Sequence, residues 1–513
     1  MKRLHLTKIG LLLCGMLFIG AGCTKYLEEN DPSNLAPDSY FTLPEHAETA
    51  VNSVYANLRF MSAGAGIFSY NFQLPEALSG TSASETGQNS DLNNLLNLAY
   101  DADNVHVRQW WNSLYRGIAN ANLAIAKIPD IPNMDEGLRA RYIGEAKFLR
   151  ALHYFYAVRL WGDVPLTIKP IESYTDPELY PGRTPQEEVY NQIVQDLKDA
   201  EAAGLPWTDQ TGRANLGAAK SLLASVYLTM AGFPLNKGAQ YYQLAADKAN
   251  EVITHGDYSL FPTYENLHTP ALKNRTEHIF QIQYSASVSD ARADFQQPML
   301  PNFGGVSAFG TQIGSTVPTR AFYNSYETGD KRKQEQQFFY TAYYQDGNGA
   351  LKQLNAPYIF KHFDRAANGT AGVAGTAQSG MNWPLIRYAE VLLIYAEAQN
   401  EAAAAPSAAA IAALKQIRDR AALTTPATFT KAAFREAVWR ERWYELCYEG
   451  KAWFDMLRLR KAFNEATKGF DNFVGHKFSY GPTLQEKHLL LPLPTLEMNN
   501  NPSLRPQNPG FAG

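Results

Sequence analysis

The stretch Asn215–Ala231 reads NLGAAKSLLASVYLTMA. Leu216, Ala219, Leu222, Leu223, Val226, Tyr227 and Met230 recur at steps of three and four residues, which gathers them on one wide apolar face of an α-helix. Helical spacing extends outward from it in both directions. Upstream it runs through 44–60, where Ala47, Ala50, Val51, Val54 and Leu58 share a face, and then through 106–128, 135–160 and 185–203. Thr184 is placed as an N-cap for the last of these, with Glu187 three residues on as its capping-box partner. Downstream it runs through 241–255, which stops at Gly256, a C-cap residue, and then through 384–403, 407–421 and 431–460.

These segments come in pairs with short connectors, and Ala and Tyr are frequent at the contacts. The pattern resembles stacked helical hairpins of the tetratricopeptide type. The stretch 261–383 breaks it. It is rich in Gly, Asn, Gln, Ser and aromatics, and it carries strand-like runs such as His278–Tyr284. The stretch 62–103 has the same loop-rich character. Irregular stretches of this length on a regular scaffold are where binding residues tend to sit. The predicted fold class is mainly α: helical hairpins forming a curved scaffold over about 38–260 and 384–513, with a loop-rich insert over about 261–383 that holds a few short strands.

The chain begins as an export signal. Met1-Lys2-Arg3 and Lys8 are cationic, Ile9–Ile19 is apolar, and Gly20-Ala21-Gly22 precede Cys23. The apolar run is shorter than the ~20 residues a bilayer span needs. A Cys directly after small residues resembles a lipoprotein processing site, so residues 1–22 are predicted to leave and Cys23 to carry the lipid. Two or more acyl chains anchor a protein stably where one does not. The polar run 23–37, with Glu28, Glu29 and Asp31, then serves as a tether. Of the three Cys, Cys14 lies in the leader and Cys23 takes lipid, which leaves Cys447 without a disulfide partner, a small buried apolar residue.

Formal net charge is −4, and about −7 once Lys2, Arg3 and Lys8 leave with the leader. No basic stripe exists, which argues against nucleic acid as a partner. No His-Glu-x-x-His, no Cys/His cluster, no Gly-x-Ser-x-Gly and no phosphate loop occurs, so neither metal nor cofactor is expected. Asp346-Gly347-Asn348-Gly349 reads as a turn. Glu441, Glu445 and Glu449 fall at i, i+4 and i+8. Such acids could flank a glycosidic bond, but Arg440, Arg442 and Arg458 nearby favour buried ion pairs that lock helix to helix. Trp161-Gly162-Asp163 reads as a helix stop with Trp161 packed inside, rather than as a sugar platform.

Several segments, in order, resemble the SusD/RagB family. They are Trp111–Asn122, Glu145–Ala151 with Leu160–Leu166, Arg213-Ala214 with Tyr227-Leu228, Leu385–Ala398, the run from Glu441 to Arg458, Pro492-Leu493-Pro494 and Gln507–Phe511. Lys451 stands where the family more often has Arg. The resemblance implies a surface-exposed lipoprotein of the outer membrane in a Bacteroidetes-type bacterium. It implies a SusC-like TonB-dependent transporter as partner, glycan as ligand (peptide in some members) and no catalysis.

The expected function is capture of oligo- or polysaccharide and its delivery to the transporter. The alternatives are a peptide- or protein-scavenging lipoprotein and a surface glycoside hydrolase. Relatives place ligands on loops of the same two irregular regions, so the carry-over is regional. Tyr70, Tyr100, Phe303, Phe309 and Tyr343 are the candidate stacking rings, and Asn93, Asn94, Gln312 and Arg320 the candidate polar contacts.

Overall fold

The computed structural model describes residues 40–512 apart from 67–68, 88, 172, 289–290, 303–312, 345–350 and 365–378. The leader, the tether and Cys23 lie outside the described residues, as do Phe303, Phe309, Gln312 and the Asp346–Gly349 turn.

The scaffold begins with α1 (Pro44–Asn57), α2 (Val105–Lys127), α3 (Glu136–Trp161), α4 (Gln186–Ala202), α5 (Leu216–Ala231) and α6 (Ala239–His255). Each packs on the next. After the insert come α7 (Tyr388–Ala402), α8 (Ala408–Arg420), α9 (Lys431–Glu445) and α10 (Ala452–Leu459). α7 docks on α6, so the helical stack continues across the insert as if it were uninterrupted. Asp135, Asn215, Ser407 and Thr430 each cap a helix by accepting the N–H three residues on. Gly256 ends α6 at φ +88°, the left-handed stop read from the sequence.

α3 is the spine. Every residue from Phe148 to Val158 is buried, because α2 and α4 cover it from two sides. Gly117 lets α2 approach: a Cβ there would stand 2.1 Å from the His153 ring. Burial pushes His153 down to about 4, so the ring is neutral at physiological pH. Arg150, also on the spine, is held by Asp196 of α4 at 2.7 and 2.8 Å. α3 ends at Trp161, which is fully buried and donates its indole N–H to Pro492 O at 2.9 Å. Gly162 follows at φ +74°. The helix-stop reading of Trp161-Gly162-Asp163 therefore describes the structure. Cys447 is buried as expected, and its thiol is pushed up to about 11 by that burial.

The insert leaves and returns at one point. β1 (His278–Ile282) pairs antiparallel with β4 (Trp383–Arg387), His278 facing Arg387 and Ile282 facing Trp383. Between them β2 (Phe339–Tyr344) and β3 (Leu351–Ile359) form a hairpin with Tyr340 opposite Tyr358. A second, small apolar cluster fills the space under the hairpin, apart from the main core.

Three local expectations are corrected. Residues 384–387 are strand, not helix. The segment pairs with β1, Pro384 opposite Gln281 and Ile386 opposite Phe280, so the helix starts only at Tyr388. The run 431–460 is two helices, because Tyr448 (φ +60°) and Gly450 (φ +68°) turn the chain between them. Glu449 thus lies beyond the end of α9 rather than on its face. Thr184 is not an N-cap: it forms a backbone bridge with Val164, and Asp163 Oδ1 accepts the Gln186 N–H at 2.9 Å from across the turn. Glu187 pairs with Lys237 instead.

The three glutamates still meet, in a buried ionic junction. Arg387, the last residue of β4, bonds Glu277, Glu445 and Glu449. Arg420, the last residue of α8, bonds Glu277 and Glu445. Arg332, within the insert, bonds Asp330 and reaches Glu441 at 2.5 Å and Glu445 at 3.4 Å. Lys361, just past β3, pairs with Glu449. None of these side chains is more than 4% exposed. The three glutamates are thus in buried ion pairs as expected, but the partners are corrected: Arg440 bonds Lys468 O, Arg442 pairs with Asp455, and Arg458 with Glu397 and Asp455.

Two outcomes follow. Glu445→Gln strands parts of Arg332, Arg387 and Arg420 away from both water and charge, and is predicted to cost about 3–5 kcal/mol in urea unfolding at pH 7. Asp419→Asn, in the exposed i,i+4 pair with Lys415, changes stability by no more than about 0.5 kcal/mol in the same assay.

The pH response is mixed. Glu277, Glu449 and Asp455 are held below the ordinary carboxylate range because their arginine and lysine partners outweigh burial. They stabilise the fold above the unfolded carboxylate value of about 4.3, and that stability is lost as pH falls through their folded values. Glu76 is the reverse. Burial raises it to about 7 against the opposing pull of the Gly450 N–H. The folded chain keeps a proton there that the unfolded chain has released, so stability falls as pH rises from about 4.3 to 7. Glu76→Gln removes that slope. It is predicted to exceed wild type at pH 8 by at most about 3 kcal/mol, with the gap closing toward pH 4, as read by urea midpoints across pH.

Candidate functional site

The two loop-rich stretches meet on one face. Ser82-Ala83 pairs as a short strand with Val317-Pro318, and Thr319 N–H donates to Thr81 O at 2.9 Å. Gln73, in the short helix Gln73–Leu78, donates its side-chain amide to Thr316 Oγ1 at 2.7 Å and Ser315 Oγ at 3.0 Å. The base beneath is a ring stack: His362 lies on Trp383 at 4.5 Å and 7°, and Phe72 and Phe295 flank Trp383. Burial pushes His362 down to about 4, and its ring holds Tyr448 O at 2.7 Å. The base is therefore neutral and fixed.

Glu85 is the hub of the junction above that base. Its N–H donates to Gly314 O at 2.8 Å. Its carboxylate accepts the Tyr358 O–H, and at 3.2 Å the Asn302 N–H. Tyr358 is buried, and burial together with Glu85 raises its phenol above the usual range, so it stays a donor. Glu85 itself is exposed.

The candidates read from the sequence fall in three groups. Asn93 and Asn94 lie beside the Glu85 loop, and Arg320 lies at the other end of the strand pair from Glu85. Asn93 donates its side-chain amide to Gly87 O at 2.9 Å and so pins the Glu85 loop; Asn94 is exposed on the same helix, Ser90–Leu96. Arg320, exposed at the start of the helix Arg320–Ser325, donates to Asn355 O at 2.7 Å. Tyr70, Tyr100 and Tyr343 are corrected as stacking platforms, because all three rings are buried. Tyr70 donates its hydroxyl to Gln297 Oε1 at 3.2 Å inside the junction. Tyr100 packs away from it, beside His488 and Phe511. Tyr343 belongs to the cluster under the β2–β3 hairpin. Phe303, Phe309 and Gln312 lie outside the described residues.

The sequence reading missed Glu85 and Tyr358. The strand alternation of β3, exposed and half-buried by turns until Pro357, was the available signal for Tyr358. Glu85, in Ser84-Glu85-Thr86, carries no local signal. The acids Glu441, Glu445 and Glu449, weighed as a hydrolytic pair, are buried and bonded to cations. Among the described residues no group of three or more His, Cys, Asp or Glu stands together as a metal site, and no helix is long and apolar enough to cross a membrane.

The architecture is a helical-hairpin scaffold whose two irregular stretches are joined by a strand pair. Comparison with known proteins finds the same architecture. Residues 331–511 match the model of the SusD family, and residues 25–228 match a model described as starch-binding, associating with outer membrane. A SusD-like protein of Formosa agariphila is 31% identical over the whole of both chains. The crystal structure of a SusD superfamily protein from Parabacteroides distasonis is 38% identical, with TM-score 0.86 over 91% of this chain and 99% of that one. A laminarin-binding SusD-like protein shares the fold at 24% identity and TM-score 0.72, over 92% of this chain and all of its own. The chain belongs to the SusD family.

Proposed function

We propose that the protein is a surface lipoprotein that captures glycan and passes it to a TonB-dependent transporter of the SusC type, without chemistry of its own. The observation that supports this reading is the polar junction at Glu85, whose carboxylate holds Tyr358 and Asn302, with Asn94 exposed on the neighbouring helix and Arg320 exposed at the far end of the strand pair. Carboxylate, amide and guanidinium groups suit the hydroxyls of a sugar chain, and a base fixed before binding keeps the ordering cost low. Phe303, Phe309 and Gln312, beside Asn302 in the sequence, are the proposed stacking and orienting residues from the insert. Family membership and the laminarin-binding relative support glycan over peptide.

The alternative of peptide capture would call for an exposed strand edge or a groove that accepts backbone hydrogen bonds. The short strands 82–83 and 317–318 are instead bonded to each other. Anchoring at Cys23 fits the outer-membrane association of the family matched by residues 25–228.

Affinity electrophoresis and calorimetry against a panel of neutral polysaccharides and peptides test the ligand class. At least one polysaccharide is expected to bind, with Glu85→Ala and Arg320→Ala each weakening it about tenfold, the size of one lost charge-assisted hydrogen bond. Peptide binding without glycan binding contradicts the reading. Separately, Cys23→Ala is expected to move the protein from the membrane to the soluble fraction in cell fractionation. Undiminished membrane association of that variant contradicts the lipid anchor.

A further inference from the structure

A second cavity, of about 210 Å³, lies on the helical scaffold and draws no residue from either loop-rich stretch. Its walls include Arg159, Tyr190, Phe233, Leu457, Arg460 and Lys487. Among the described residues the fully buried cations have carboxylates, as Arg150 has Asp196, Arg332 has Asp330 and Glu441, and Arg387 has Glu277 and Glu449. Half-buried ones such as Arg59 and Arg183 bond carbonyl oxygens instead, and Arg159 is of this second kind.

Arg159 has no carboxylate partner among the described residues. Its guanidinium is clamped flat between Phe155 and Phe454, with ring centroids 3.6 and 3.8 Å away, and its Nε donates to Phe155 O at 2.7 Å. The nearest carboxylates, Glu390 and Asp455, are committed to Lys451 and to Arg442 and Arg458. Desolvation lowers the Arg159 pKa, although the side chain as a whole is half-buried and only its Nε is bonded within the protein. Two more cations without an ion pair among the described residues border the same space. Arg460 sits in a left-handed turn (φ +54°) with its guanidinium 5.5 Å from the Phe233 ring centroid, and Lys487 lies beside Phe511. The acid at the border is Glu486, which is exposed. The remaining wall, with Phe233, Pro234, Leu457, Leu489 and Leu490, is apolar.

A guanidinium held flat, with Nε already spent, leaves its two terminal nitrogens as a fork, and that geometry matches a carboxylate. An apolar wall opposite suits the C–H face of a pyranose ring. A cavity of this size fits one such ring.

We propose that this cavity is a second binding site, specific for a carboxylate-bearing sugar ring, a hexuronate, with Arg159 as the anion fork and Arg460 and Lys487 as its electrostatic rim. The proposal rests on the glycan-capturing reading and narrows it: acidic glycan is held at two places, and the scaffold site reads the charge.

The test is calorimetry of the purified protein with trigalacturonate and with its fully methyl-esterified form, in which each carboxylate charge is replaced by a neutral methyl ester. The acid is expected to bind at least about tenfold more tightly than the ester, and 0.5 M salt is expected to erase most of that gap. Arg159→Gln is expected to abolish the preference. Arg460→Gln and Lys487→Gln, which leave the clamp intact, are each expected to reduce it about threefold, with thermal midpoints unchanged; they keep the test valid if Arg159→Gln unfolds. Equal binding of acid and ester overturns the proposal, as does a preference that all three variants retain. Equal binding of trialanine carboxylate overturns the sugar assignment. A protein that binds neutral polysaccharide but not trigalacturonate loses this site alone, whereas one that binds no glycan of any kind loses the capture reading as well.

Discussion

The structure depends on buried charge meeting buried charge where the insert joins the helices. Glu277 stands just before β1, Arg387 ends β4, Arg420 ends α8, Glu445 ends α9, and Arg332 and Lys361 come from the insert itself. All are removed from water, so the loss of any one leaves buried hydrogen-bonding groups of its partners unsatisfied. Such a junction is weak as a source of net stability, because desolvation cancels much of the attraction. It is strong as a specifier, because it closes in one arrangement. Helix ends placed differently would leave an arginine or a glutamate unsatisfied.

That specification has a consequence for binding. The insert must carry a long irregular chain without letting the scaffold come apart, and α6 and α7 still pack together across it. Pairing β1 with β4 at the base brings the ends of the insert together, which limits the entropy lost in closing so long a loop. The ionic junction then fixes the base to α8 and α9. With its foot fixed, the insert can build the outer face with the stretch around Glu85 while the aromatic stack of Trp383, His362 and Phe295 keeps that face in register.

The helices were legible because periodicity and caps are local. Gly256 announces the end of α6 wherever the chain goes afterwards, whereas the caps at Asn215 and Asp135 were seen only in the structure. What sequence could not resolve was decided by tertiary partners. Asp163 caps α4 from beyond a bridge, and no window of sequence contains that geometry. The turn at Tyr448–Gly450 interrupts an apolar pattern that reads as one helix, because Glu449 must face Arg387 and Lys361. At the candidate face, loop-rich composition marked the two stretches that pair with each other, and the polar candidates Asn93, Asn94 and Arg320 lie on those stretches with Asn94 and Arg320 exposed. The aromatic candidates fared differently: Tyr70, Tyr100 and Tyr343 are core, since a tyrosine in a loop-rich stretch looks the same in sequence whether its ring faces sugar or protein.

The most direct test of the account is amide hydrogen exchange on the protein with and without a bound neutral polysaccharide. The account predicts added protection confined to the Glu85–Asn94 and Gly314–Arg320 segments and the outer part of β3, with exchange in α2 to α6 unchanged. Protection that falls on the helical stack and leaves the Glu85 segment as before would contradict it.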